Sequence, residues 1–282
     1  MLAAVRHQAG PRGQDGLLVV CAERIGDRTR LSEVLSRPPL QVMRAAYTEP
    51  ALPDLAAVTI CSPSGGVLQG DRLRMEIRVE AGARLRLDTQ SATRIYATPD
   101  VGATAEIALK VAAGAFLEYV PDPLIPYAAS SYRQESLWEV DESATLIVGE
   151  VVAAGREARG ERAAYRRVET EVEARRPNGE LLFRDACHLV PDNALRFLGG
   201  ASALGSFFVV SSGFKAAGFN ALRDHPAVSR CQAGWSDLPS QAGAWFKVLA
   251  PDSASAAAAV RTAWESARRA LLGCGLPPTR RS

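Results

Sequence analysis

The segment Asp71-Arg72-Leu73-Arg74-Met75-Glu76-Ile77-Arg78-Val79-Glu80 decides the fold class. Leu73, Met75, Ile77 and Val79 are apolar, and the even positions between and around them are charged. A period of two places the two sets on opposite faces of an extended chain, as in a half-buried β-strand. Leu85 and Leu87 alternate in the same way with Arg84, Arg86 and Asp88. So do Val168, Thr170, Val172 and Ala174 with Arg167, Glu169, Glu171, Glu173 and Arg175. The last of these runs into Pro177-Asn178-Gly179, with a further strand predicted from Glu180 to Val190. Asn-Gly between alternating segments predicts a hairpin, because both residues tolerate the positive φ of the tight turn.

A weak internal repeat extends the pattern. Val79-Glu80-Ala81-Gly82-Ala83-Arg84-Leu85, Val111-Ala112-Ala113-Gly114-Ala115-Phe116-Leu117 and Val140-Asp141-Glu142-Ser143-Ala144-Thr145-Leu146 are alike, with starts 32 and 29 residues apart. Each reads as strand, tight turn, strand, and a period near 30 is that of stacked supersecondary units. The expected fold class is therefore mainly β: a large stacked or helical β-sheet scaffold of hairpin-like repeats. A few helices are expected, one of them at the C-terminus. That helix is predicted from Asp252 or Ser253 to Leu272, with Gly273 as its stop. Val260, Ala263, Trp264, Ala267 and Leu271 form its apolar stripe, and Arg261, Glu265, Arg268 and Arg269 are expected to face water. A shorter helix is predicted around Lys215 to Asp224. With no linker or low-complexity tract, residues 1–282 are read as one domain.

Composition excludes several functions. The chain has 282 residues, 47% hydrophobic and 23% charged, with a net charge of +2. No basic patch or tail argues for nucleic acid or an anionic membrane surface. Only Lys110, Lys215 and Lys247 are lysines and none follows Gly, so no phosphate-binding G-x-x-x-x-G-K-[ST] loop is present. With His7, His188 and His225 as the only histidines, H-E-x-x-H is absent too. Cys21, Cys61, Cys187, Cys231 and Cys274 contain no C-x-x-C pair, which fits free thiols in a reducing cytoplasm. Leu17 to Ala22 is too short for a secretion signal. The 18 uncharged residues from Phe197 to Phe214 include four Gly and four Ser, so they read as a loop leading into a buried strand, Phe207 to Val210, and not as a membrane span.

Three carboxylates stand at apolar positions. Asp71 shares the parity of Leu73 and Met75, and Asp185 that of Leu181, Phe183, Cys187 and Leu189. Glu150 interrupts Leu146-Ile147-Val148-Gly149-Glu150-Val151-Val152, a strand expected to be buried on both faces. A buried ionised carboxylate needs a partner, a proton or a cation. Ion pairs with Arg94, Arg156 or Arg184 are the ordinary solution. A polar interior path is the alternative that three such residues raise.

The run Ser62-Pro63-Ser64-Gly65-Gly66-Val67-Leu68-Gln69-Gly70-Asp71 resembles the signature of the urease accessory protein family UreD, also called UreH. Thr89-Gln90-Ser91-Ala92-Thr93-Arg94-Ile95-Tyr96 is similar to its T-Q-x-A-T-[KR]-x-Y segment, and Pro121-Asp122-Pro123-Leu124-Ile125-Pro126-Tyr127 to its P-x-P-x-I-P-[FY] turn. Gly149-Glu150 with Gly155-Arg156-Glu157-Ala158-Arg159-Gly160-Glu161 is similar to its E…G-R-x-x-x-G-E block. The motifs follow the family's order over about residues 24 to 200. Lys247 stands where the family usually has Arg in the last strand, and Asp185-Ala186-Cys187 lacks the Arg that often follows the acid. Pro277-Pro278-Thr279-Arg280-Arg281 echoes the family's Pro-Arg-rich tail.

The resemblance implies a non-enzymatic, cytoplasmic factor for nickel urease. Its partners would be the urease apoprotein, a helical UreF-like accessory protein and, through it, a UreG-like GTPase. No cofactor would be tightly bound, and Ni²⁺ would contact the chain only in transit. On this reading Asp71, Glu150 and Asp185 are metal-relay candidates. Gly65, Gly66, Gly70, Thr93, Arg94, Tyr96, Arg156, Gly160 and Glu161 are the positions that match the family motifs. The residues alone leave two other readings open: a carbohydrate-active β-helix enzyme with paired carboxylates, and a structural scaffold without a metal path. Aromatic content of 6% offers few platforms for stacking sugars.

Overall fold

The computed structural model describes residues 13–277. His7 and the tail from Pro278 lie outside the described residues. The chain opens with β1 (Asp15–Ile25), β2 (Arg28–Arg37), β3 (Gln41–Val42) and β4 (Ala56–Cys61). Three similar coils follow: β5 (Arg72–Val79), β6 (Arg84–Thr89), β7 (Thr93–Ile95); β8 (Ala103–Val111), β9 (Phe116–Tyr119), β10 (Leu124–Pro126); β11 (Ser131–Val140), β12 (Thr145–Ala153), β13 (Gly155–Arg156). Next come β14 (Glu161–Arg162), the pair β15 (Arg167–Arg175) and β16 (Leu181–Leu189), and α1 (Pro191–Leu198). The chain ends with β17 (Ala203–Val210), α2 (Pro226–Ser229), β18 (Gln232–Asp237), β19 (Gly243–Ala250) and α3 (Ser253–Leu272).

Two sheets face one another. The first has the order β16-β15-β11-β8-β5-β1-β2, and the second β18-β19-β17-β12-β9-β6-β4-β3. Both centres are parallel, with β5–β8–β11 in one sheet and β6–β9–β12 in the other. The mainly β, stacked expectation therefore holds, and the repeats correspond to the coils. The turns at Gly82, Gly114 and Ser143 are arches, not hairpins: each carries the chain from one sheet to the other, and each strand pairs with its counterpart one coil away. The arches also stack, since Gly82 N–H donates to Ala113 O at 3.1 Å and Gly114 N–H to Ser143 Oγ at 3.0 Å. The predicted Asn178-Gly179 hairpin forms between β15 and β16, with Glu180 N–H donating to Asn178 Oδ1 at 2.9 Å.

Alternation fills the space between the sheets. Met75, Ile77, Val79, Ile107, Leu109, Trp138 and Val140 point inward from one sheet, and Leu85, Leu87, Leu117, Leu146, Val148 and Phe208 from the other. Burial of each large apolar side chain favours folding by about 1.5–3 kcal/mol. Helix α3 has the predicted bounds, with Asp252 Oδ1 accepting from Ser255 N–H at 2.7 Å and Gly273 left-handed at φ 69°. It covers the outer face of the second sheet, where Val260, Ala263, Trp264 and Ala267 meet Ile147, Phe207, Phe246 and Val248. Gly149 and Gly205 permit this close approach, because a Cβ on either would stand about 3 Å from Val260. The helix expected over Lys215 to Asp224 is a tighter 3₁₀ segment, Ala216–Leu222.

One expectation for α3 fails. Arg268 does not face water; it is fully buried. It follows Trp264 by one helical turn, so its stem continues the apolar stripe. Its guanidinium is paired with Glu49 and, at 3.2 Å, with Glu118 Oε2. Trp264 Nε1–H donates to Glu118 Oε1 at 2.6 Å, and Arg86 pairs with Glu49. Glu49, shared by both guanidinium groups, and Glu118, which accepts from Arg268, offset part of the cost of taking the two groups out of water.

Candidate functional site

The inward alternation of apolar residues breaks in one layer. In the second sheet Glu150 pairs in register with Ser206, and Ser206 with Lys247, so β12, β17 and β19 place all three on the inner face of one rung. The opposing sheet contributes two rungs, Gln134–Thr170–Cys187 and Ser136–Val172–Asp185. Gln134 Nε2 donates to Glu150 Oε1 at 2.5 Å, and the Thr170 hydroxyl stands near enough to favour the ionised form of Glu150. Lys247 Nζ donates to Asp185 Oδ1 at 2.5 Å. Each contact crosses from one sheet to the other.

Glu150, Ser206, Gln134, Thr170 and Asp185 of this layer line a cavity of about 180 Å³ between the sheets, and Lys247 reaches it through Asp185. Its walls run from Ile60 on β4 to Ser206 and Phe208 on β17, four strand spacings or about 19 Å. At one end stand Gln90, Ser91 and Arg94, all exposed, and at the other the half-buried Asp185. Tyr119, Tyr132 and Trp138 make the middle apolar. Burial raises the Glu150 carboxyl above the usual range and Asp185 adds to this, while Gln134, Thr170 and Lys247 oppose it. Burial, with Glu150 nearby, pushes the Cys187 thiol up to about 12, so it stays protonated at neutral pH. The donors available to a ligand are therefore carboxylate, amide and hydroxyl oxygens. Among the described residues no group of three or more His, Cys, Asp and Glu forms a metal cage.

Of the three relay candidates, Glu150 and Asp185 share the cavity wall. Asp71 is outside it. Its carboxylate is buried, as its parity predicts, and takes two backbone N–H groups, Gln14 on Oδ1 and Leu68 on Oδ2, both at 2.8 Å. It clamps the N-terminal segment to the Gly-rich loop. None of the three carboxylates takes the arginine partners considered from sequence. Arg156 pairs with Glu161, with Nε to Oε2 at 2.8 Å, and Arg184 pairs with Glu173.

The motif residues build the rim. Gly65, Gly66, Thr93 and Arg94 line the exposed end of the cavity. A Cβ on Gly66 would lie 2.5 Å from the Arg94 carbonyl oxygen, so only Gly lets the two loops close. Tyr96 meets Tyr127 edge-on at 5.0 Å, and the Arg156 guanidinium covers the Tyr127 ring at 3.8 Å. Glu161 Oε2 also accepts Ala128 N–H at 3.1 Å. Gly70 and Gly160 occupy turns at φ 74°. Lys247, Gln134, Thr170 and Ser206 escaped the sequence reading as site residues. Lys247 alone carried a signal, as a lysine inside the apolar run Ala244-Trp245-Phe246-Lys247-Val248-Leu249.

A two-sheet β scaffold with parallel centres and a narrow, partly polar cavity between the sheets defines the class. Residues 14–282 match the family model described as UreD urease accessory protein. The chain is 34% identical to urease accessory protein UreD 2 of Streptomyces griseus over 96% of its own length and 95% of that protein. It is 35% identical to urease accessory protein UreD of Haloarcula marismortui over 99% and 94%, and 33% identical to that of Cenarchaeum symbiosum over 96% and 98%. The chain belongs to the UreD family of urease accessory proteins. No helix among the described residues is long and apolar enough to cross a membrane.

Proposed function

We propose that this chain is a non-enzymatic urease maturation factor of the cytoplasm: a scaffold that binds urease apoprotein and passes Ni²⁺ along its interior toward the urease active site. A UreF-like helical protein and a UreG-like GTPase act with it, the nucleotide chemistry residing in the latter. The observation that carries this reading is the cavity, with Glu150 and Asp185 on facing walls amid neutral oxygens. Nickel(II) binds imidazole and thiolate sites strongly and oxygen sites more loosely. Oxygen ligands and a thiol held protonated therefore suit an ion in transit, where a Cys/His cage would retain it.

The test is urease matured with Glu150→Gln. Gln keeps the shape and the Gln134 contact distance but removes the charge. The variant is expected to co-purify with urease apoprotein yet yield nickel-poor urease. Normal nickel content from a normally assembled complex would exclude Glu150 from the path.

A further inference from the structure

Lys247 has no place in a simple cation path, because a fixed positive charge beside two carboxylates opposes the entry of another cation. Its surroundings suggest a purpose. Its ammonium bonds Asp185 Oδ1 at 2.5 Å, and on the same rung it stands one strand from Ser206 and two strands from Glu150. The Lys247 and Asp185 side chains are 30% and 27% exposed. A pair this open to water is held weakly and exchanges readily. A lysine ammonium is also a compact point charge on a flexible four-carbon stem, without the planar fork that locks arginine onto carboxylate.

The geometry points to Lys247 as an internal counter-cation: its ammonium occupies Asp185 at rest, yields it to an arriving divalent ion, and reclaims it when the ion moves on. This inference rests on the proposed passage of Ni²⁺ through the cavity. At rest Lys247 neutralises Asp185, and Glu150 accepts from Gln134 Nε2. When the divalent ion arrives, the ammonium swings into water, and the Asp185 and Glu150 carboxylates face the two positive charges of the ion. Departure of the ion returns the ammonium to Asp185. Without the lysine, two carboxylates beside the Gln134, Thr170 and Ser206 oxygens would hold a divalent ion with nothing to compete it away.

The experiment is equilibrium dialysis of the untagged full-length protein against Ni²⁺ at fixed salt, with melting temperature measured in parallel. Lys247→Gln is expected to bind Ni²⁺ at least about tenfold more tightly, because the ion then meets Asp185 with no ammonium to displace from it. Adding Asp185→Asn to that variant should abolish the gain. Lys247→Arg keeps the bridge and the fold and should bind several-fold more weakly than wild type, its bidentate grip being harder to displace. A Lys247→Gln protein that melts lower but binds Ni²⁺ no more tightly would make the pair a purely structural tie and overturn the proposal. So would a Lys247→Arg protein that binds more tightly than wild type, even if Lys247→Gln fails to fold. The passage itself stands or falls separately, on the nickel content of urease matured with Glu150→Gln.

Discussion

The Lys247 ammonium lies 2.5 Å from the Asp185 carboxylate and so joins β19 of one sheet to β16, the edge strand of the other. Together with the Gln134–Glu150 contact it makes one polar layer across an otherwise apolar interior. That layer coincides with the cavity. Between the two sheets this layer sets carboxylates beside the space that could admit a small ion, and the surrounding apolar rungs supply the stability.

Asp71 is expected to act on folding and not on nickel. Asn at this position retains one acceptor, but its NH₂ group then faces a backbone N–H. One of the two amides, Gln14 or Leu68, loses its charge-assisted hydrogen bond to the buried carboxylate, at a cost of about 1–3 kcal/mol. Asp71→Asn should therefore lower the melting temperature, while the fraction that folds should load urease normally. Unchanged stability with nickel-poor urease would place this residue on the path after all.

Glu118 should make stability depend on pH. Burial pushes its carboxyl up to about 7, against the pull of Arg268 and Trp264. The folded protein therefore holds a proton at Glu118 that the unfolded chain releases at ordinary carboxyl values. The stability this proton supplies is fully present below the unfolded value and is lost as pH rises through the folded one. Between about pH 4.5 and 7, wild type should lose stability relative to Glu118→Gln, and the difference should level off above that. Paired thermal melts across this range check it; a wild type that gains on the variant as pH rises would contradict the assignment.

Period two in Asp71–Glu80 was enough to identify the strands, and the spacing of the Gly82, Gly114 and Ser143 turns was enough to identify the coils. Which strands pair was not legible, because an arch and a hairpin carry the same small-residue turn and differ only in where the chain goes next. The buried Arg268 was misread because a charge on a helix normally faces water; its partners Glu49 and Glu118 lie more than a hundred residues away in the chain. Glu118 sits inside the apolar run Phe116-Leu117-Glu118-Tyr119-Val120, the same signal that singled out Glu150. Parity placed Asp71 and Asp185, and an apolar run placed Glu150, on inward-facing positions. Neither signal could separate a carboxylate that clamps backbone amides from two that face a cavity, since that depends on contacts from distant loops.

The most direct test of the central claim narrows the cavity without touching a charge. Ser206 lies on the inner face between Glu150 and Lys247 and is 7% exposed. Ser206→Leu fills the narrow space beside Glu150 with a side chain that offers no oxygen. The measurement is nickel per active site in urease matured by this variant, beside the amount of urease apoprotein that co-purifies with it. Passage of Ni²⁺ through the interior predicts normal co-purification and urease that is largely empty of nickel. Fully loaded urease from the blocked scaffold would contradict it.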